Sequence, residues 1–204
     1  MMRNIKIIAL SLAILSLSAC TTPVIEHFYR LNYPVAALST AEPKYELLIA
    51  SVKLPDAVNR PQLVIQKSAT ESLVSDEQRW VAPLDEQITQ ALIAHLRTQL
   101  PEAWMSSEAS AGTVASANLP RYHLKIQIDQ LLIQSGDQLT LEATWLLQDG
   151  SRKLLKRDRN VFTIRLNGQG YEAVAPAVSE AVLQLSSQLV KTVQSNSKLA
   201  TGSN

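Results

Sequence analysis

The chain carries one cysteine among 204 residues, and its longest apolar run falls short of the roughly 20 residues that a membrane-spanning helix requires. A lone Cys20 excludes an intrachain disulfide framework, which needs cysteines in pairs. Net charge is equally scarce, with 19 basic residues against 18 acidic ones. A nucleic-acid binder is usually markedly basic, and a disordered chain is highly charged and poor in apolar residues. Neither class fits. The histidines are His27, His95 and His123, and no pair has the i, i+4 or close-strand spacing of a metal site. There is no G-x-S-x-G elbow. Gly168-Gln169-Gly170 lacks the third glycine and the preceding strand pattern of a dinucleotide loop. Asp85 and Glu86 point in different directions on a helix and already suit its N-terminal dipole. Nothing assembles a nucleophile, a base and an oxyanion site, so the reading is against catalysis. No internal repeat is present.

What is there begins at the N-terminus. Arg3 and Lys6 precede thirteen mostly apolar residues, Ile7 to Ala19, in the layout of a secretory signal. Leu17-Ser18-Ala19-Cys20 resembles the bacterial lipobox: an aliphatic residue, two small ones, then cysteine. The small residues let the backbone enter a peptidase site, and the thiol is the nucleophile that takes a diacylglyceryl group. The expectation is cleavage between Ala19 and Cys20, with an S-diacylglycerol and an N-acyl chain on Cys20 and no other cofactor. Each buried methylene adds about 0.8 kcal/mol, and several chains together hold where one does not. Thr21, not the aspartate of the common inner-membrane retention rule, follows Cys20. By that resemblance the lipoprotein belongs on the periplasmic face of the outer membrane. Removing residues 1–19 leaves 185 residues with 17 basic and 18 acidic side chains, enough for one domain with a real core.

Residues 20–27 read as a lipidated tether, 28–194 as the domain and 195–204 as a flexible tail. Phe28 to Leu31 suits a first strand. Glu46 to Leu54 suits a strand buried on both sides. Leu63-Val64-Ile65 and Ser72-Leu73-Val74 suit a hairpin. Leu84, Ile88, Ala91, Leu92, His95, Leu96 and Leu100 recur at helical spacing after Pro83, and Pro101 stops the helix. Residues 106–118, rich in Ser, Ala and Gly, read as a loop. Tyr122 to Ile128 and Leu139 to Leu147 alternate as antiparallel strands, joined by Ser135-Gly136-Asp137. Asp149-Gly150 signals a two-residue hairpin, and a return strand runs from Lys153 to Leu166. A second helical stripe runs from Val174 to Val193. The expected fold is α/β: a single-domain sandwich of a mixed, largely antiparallel sheet with two long helices.

Ordinary explanations cover most of the remaining features. His95 lies on an apolar helix stripe and reads as a hydrogen-bonded core or boundary histidine. His123 alternates with Lys125 and reads as exposed. Arg152, Lys153, Lys156, Arg157, Arg159 and Arg165 share one strand, either as edge protection or as an attraction for anionic headgroups or an acidic partner. Gln184, Ser187, Gln188 and Lys191 give the second helix a barely charged outer side, either simply solvated or packed on another subunit.

Three stretches carry a family resemblance: Val52-Lys53-Leu54-Pro55-Asp56, Asn59-Arg60-Pro61-Gln62-Leu63-Val64, and Arg79-Trp80-Val81-Ala82-Pro83-Leu84. With Tyr29-Arg30-Leu31 and the lipobox, their order and spacing resemble the PqiC family, auxiliary lipoproteins of ABC-type and MCE transport systems. The resemblance implies an anticodon-binding-domain-like sandwich and a non-catalytic subunit in lipid trafficking that maintains envelope integrity. It also implies a periplasm-spanning MCE-domain partner with its inner-membrane component, and a homo-oligomer is compatible with it. Arg60, Arg79 and Trp80 are the candidate partner contacts, since Arg and Trp are favoured interface anchors. The rival readings are a periplasmic lipid-binding carrier and a periplasmic hydrolase.

Overall fold

The computed structural model describes residues 24–35, 41–107, 119–168 and 170–201. Cys20, Ala19 and the signal segment lie outside the described residues, as do residues 108–118 of the expected loop. Strands β1 (His27–Tyr29), β2 (Tyr45–Ile49), β3 (Gln62–Gln66) and β4 (Ser72–Trp80) precede helix α1 (Leu84–Gln99). Then come β5 (Ala103–Ser107), β6 (Arg121–Ile133), β7 (Gln138–Asp149) and β8 (Leu154–Arg165). A 3-10 turn at Tyr171–Ala173 leads into helix α2 (Val174–Thr201), which runs past the tail boundary expected at Ser195.

The fold class is α/β, with two helices and two sheets in place of the single sheet expected. One sheet has the order β5-β2-β6-β7-β8 and the other β1-β4-β3. The split has a local cause. β2 ends at Ile49 instead of Leu54 and so pairs only with the first part of β6. Beyond it, single bridges at Lys53–Gln127, on β6, and at Gln66–Gln134, just past its end, continue the contacts. All five β2 residues are buried, as a strand paired in parallel on both sides should be. The partner on its far side, β5, is a strand where sequence indicates only the approach to a loop.

β6, β7 and β8 form an antiparallel meander. Leu139, Leu141, Ala143, Trp145 and Leu147 on β7 are at most 1% exposed, while the alternate residues Thr140, Glu142, Thr144, Leu146 and Gln148 are half-buried. The apolar face lies under α2, which contacts β7, β8 and α1. Gly136 takes φ +70° in the β6–β7 turn, a conformation glycine adopts at no steric cost. The β7–β8 turn corrects the two-residue hairpin reading. It spans Asp149 to Lys153, and Arg152, not Gly150, takes the positive φ. The Asp149 carboxylate organises it by accepting hydrogen bonds from the Ser151 and Lys153 amides and the Ser151 hydroxyl. The Ser151 hydroxyl, chiefly, holds the Asp149 pKa below its ordinary value.

The N-terminal segment is stitched across both helices. Gln87 of α1 accepts a hydrogen bond from the Leu31 amide at 3.0 Å, and Ser179 of α2 accepts one from Asn32 at 2.9 Å. Thr89 accepts the Val52 amide at 3.0 Å, satisfying the backbone just after β2. His95 sits at 8% exposure beside α2, and its Nε2 has no hydrogen-bond partner, in contrast to the hydrogen-bonded histidine expected. Burial lowers its pKa, and the Glu180 carboxylate opposes that shift to a smaller extent.

Leu92 is fully buried on α1, so Leu92→Ala should lower unfolding free energy by about 2–5 kcal/mol in urea titration with an unchanged slope. His95 takes up its proton at a lower pH when folded than when unfolded. Its contribution is therefore intact above about pH 6.5 and is lost as pH falls below that value. His95→Phe should flatten that part of the stability–pH profile, and NMR titration of Glu180→Gln should place the His95 pKa lower still.

Candidate functional site

The candidate contacts divide between surface and core. Trp80 is 5% exposed and packs in the core, with its amide donating to the Pro61 carbonyl at 2.7 Å. Tyr29 stands opposite it in the parallel β1–β4 register. The Tyr29 hydroxyl donates to Gln78 at 2.6 Å, and partial burial, then the Glu172 carboxylate, raise its pKa.

Arg79 lies on the other face. Cross-strand register sets Arg79 beside Phe28 on β1 and beside Gln62 on β3. Arg60 donates through Nε to Gln62 Oε1 at 3.3 Å, which brings both arginines around one glutamine. Gln62 also reaches Asp76. Arg79 Nη1 pairs with Glu26 at 3.1 Å, pinning the residues just before β1 to the sheet. Phe28 and Val81 are each 58% exposed at this patch. Phe28 shares with Arg79 the face of the small sheet opposite the one that buries Trp80.

A cleft of about 440 Å³ opens where the N-terminal segment crosses the helices, lined by Arg30, Tyr33, His95, Ser179, Glu180 and Leu183 among others. His123, read as exposed, is 4% exposed on β6. It neighbours Leu48 of the short parallel strand, and both side chains are buried there. Next to it Glu46, 2% exposed, accepts from Arg121 Nε at 2.7 Å. A carboxylate so deeply buried needs such a partner. Among the described residues, no group of three or more His, Cys, Asp or Glu side chains is arranged to hold a metal ion. No helix among them is long and apolar enough to cross a membrane.

The basic strand is β8, at the edge of the five-stranded sheet. Asp158, Asn160, Phe162 and Ile164 are half-buried, while Arg157, Arg159, Val161, Thr163 and Arg165 alternate with them and are exposed. Asn160 accepts a hydrogen bond from Trp145 Nε1 at 2.8 Å, anchoring the inner side of the edge. On the outer side Arg159 is ion-paired with Glu142 of β7. Leu146 stands between Lys125 of β6 and Arg157 of β8 in register.

The sequence matches a family model described as the ABC-type transport auxiliary lipoprotein component over residues 29–190. Curated relatives from Escherichia coli K12 and Shigella flexneri, each named "Intermembrane transport lipoprotein PqiC", are 25% identical over 187 residues. The alignment covers 90% of this chain and 95% of each relative. A crystal structure of an uncharacterised protein superposes with a TM-score of 0.66 at 16% identity, covering 83% of this chain and 99% of that one. A protein from Xanthomonas campestris gives 0.64 at 17% identity, covering 84% and 99%. At those identities the structural likeness shows the fold alone. The family match runs from the last residue of β1 through the remaining strands and most of α2, and the chain belongs to the ABC-type transport auxiliary lipoprotein family, the PqiC family.

Proposed function

We propose that this chain is a non-catalytic lipoprotein of the outer membrane, held by the lipids on Cys20, that anchors or completes a periplasm-spanning conduit formed by an MCE-domain partner. The observation that carries this reading is the joining of the tether to an exposed patch. Glu26 is paired with Arg79, and Leu31 and Asn32 are fastened to Gln87 and Ser179. A load applied at the membrane anchor would thus pass into the folded domain without a free joint at residues 26–32. Arg60, Arg79 and Phe28 sit beside that joint as partner contacts. The curated relatives are named for intermembrane transport, which supports the same role here.

The rival readings ask for other features. A carrier holds its lipid in an enclosed apolar cavity, whereas the cleft at His95 mixes Arg30, His95 and Glu180 with Tyr33, Pro34, Pro176 and Leu183. If lipid stayed in an enclosed site through delipidation, the carrier would replace the anchor reading. Labelling by serine-reactive probes would favour a hydrolase.

Cys20→Ala should move the chain from the membrane to the soluble fraction and abolish its contribution to envelope integrity; retention at the membrane with full function would sink the anchor reading. A photo-crosslinker at Phe28 should capture an MCE-domain protein in cells. Arg60→Glu with Arg79→Glu should reduce that capture at least about tenfold, the loss expected of interface anchors, while leaving thermal unfolding near wild type. Unchanged capture in the double variant would remove these arginines from the interface.

A further inference from the structure

The face of the five-stranded sheet on the side of Lys125, Leu146 and Arg157 carries charge that the fold does not consume. Lys53, Lys125 and Arg157 are all exposed there. Lys125, Leu146 and Arg157 form one row across β6, β7 and β8, so two cations flank an apolar side chain. Two strand spacings separate their backbones by about 10 Å. Lys53 enters the next row through its bridge to Gln127, which pairs in turn with Thr144. A groove of about 350 Å³ runs between these rows, with Lys53, Lys125, Gln127, Thr144 and Leu146 among its lining residues.

The neighbouring acids are held by other groups, and of these Asp129, bonded to neutral donors, keeps its charge beside the groove. Asp129 accepts hydrogen bonds from Gln127 and Thr144, and Glu142 is ion-paired with Arg159. Asp149 is occupied in its own turn, and Asp158 is half-buried among the side chains that alternate with Arg157 and Arg159. Among the described residues, no ion pair engages Lys53, Lys125 or Arg157. Edge protection accounts for charge on β8, but not for the apolar side chains beside it. Leu154 is 50% exposed and Leu155 36%, next to Lys156 and Arg157. Cations around a groove with an apolar residue between them, continued by exposed leucines, complement an anionic amphiphile. An acidic protein segment would use the cations and leave the leucines without a role.

We propose that this sheet face binds the headgroup of an anionic phospholipid, with the phosphate held by Lys53 and Lys125 in the groove, Arg157 adding positive charge at its rim, and the acyl chains leaving along Leu154 and Leu155. The proposal deepens the lipid-transport reading, on which its biological context rests, by naming a lipid class and a place for it. The test uses the full lipidated protein in neutral detergent, with dioleoyl phosphatidylglycerol or dioleoyl phosphatidylcholine supplied in the same micelles and bound lipid counted by native mass spectrometry. Wild type should retain phosphatidylglycerol at least tenfold more tightly than phosphatidylcholine. Lys53→Glu with Lys125→Glu should remove that preference, and Lys53→Arg with Lys125→Arg should restore it, all with the same thermal unfolding temperature. Equal retention of the two lipids, a preference that survives charge reversal, or displacement by equimolar inorganic phosphate would each overturn the proposal. So would lysine crosslinks from this face to an acidic protein segment with lipid retention unaffected. Failure here would leave membrane fractionation of Cys20→Ala and capture from Phe28 unchanged, so the two readings fall separately.

Discussion

Burial of one face of the β6–β7–β8 meander beneath α2 is the constraint on which the other features depend. The inner row of β7, from Leu139 to Leu147, is withdrawn from water almost completely. Each fully buried Leu contributes about 1.5–3 kcal/mol of transfer free energy, so this register is far more stable than one slipped by a single residue, which would expose the whole row. Once that face is fixed, α2 must lie across it, and α1 packs beside α2 to close the core. The opposite face then carries the alternate residues outward, including Lys125, Leu146 and Arg157.

The same packing decides how the N-terminal segment meets the two helices. A segment crossing two packed helices must satisfy its own backbone groups, and Gln87 and Ser179 supply those partners from within the helices. Arg79 adds an ion pair to Glu26 from the small sheet. A half-exposed ion pair of this kind contributes little to stability. Its consequence is positional: it holds the chain close to β4 beside the exposed Phe28. For an auxiliary lipoprotein of a transport system, the path of this segment sets which surfaces stay open to a partner.

Much of this architecture was legible from periodicity. The stripe from Leu84 to Leu96 became the buried face of α1, and the alternation in residues 122–128 and 139–147 became β6 and β7 with the inward residues as expected. Misreadings arose where a distant neighbour sets the outcome. Ala103–Ser107 is a strand because β2 presents an edge to it, though its own residues carry little strand signal. His123 follows the polar alternation of β6 yet is buried beside β2. Trp80, grouped with Arg79 by adjacency, points to the opposite face because neighbouring residues on a strand must diverge. In the β7–β8 turn the Asp149 carboxylate, not the glycine, sets the geometry.

By itself the sequence carried the lipobox resemblance at Cys20, the two amphipathic helices, the long antiparallel strands and the family pattern. Each depends on residues close in the chain, whose spacing alone specifies a face or a recognition motif. Only the tertiary structure decided that the strands divide into two sheets, that Arg60 and Arg79 meet around Gln62 while Trp80 turns inward, and that Lys53 joins Lys125 and Arg157 on one face. Those outcomes depend on pairing between strands far apart in sequence. That pairing is set by which register buries the most apolar surface while leaving no backbone group unpaired.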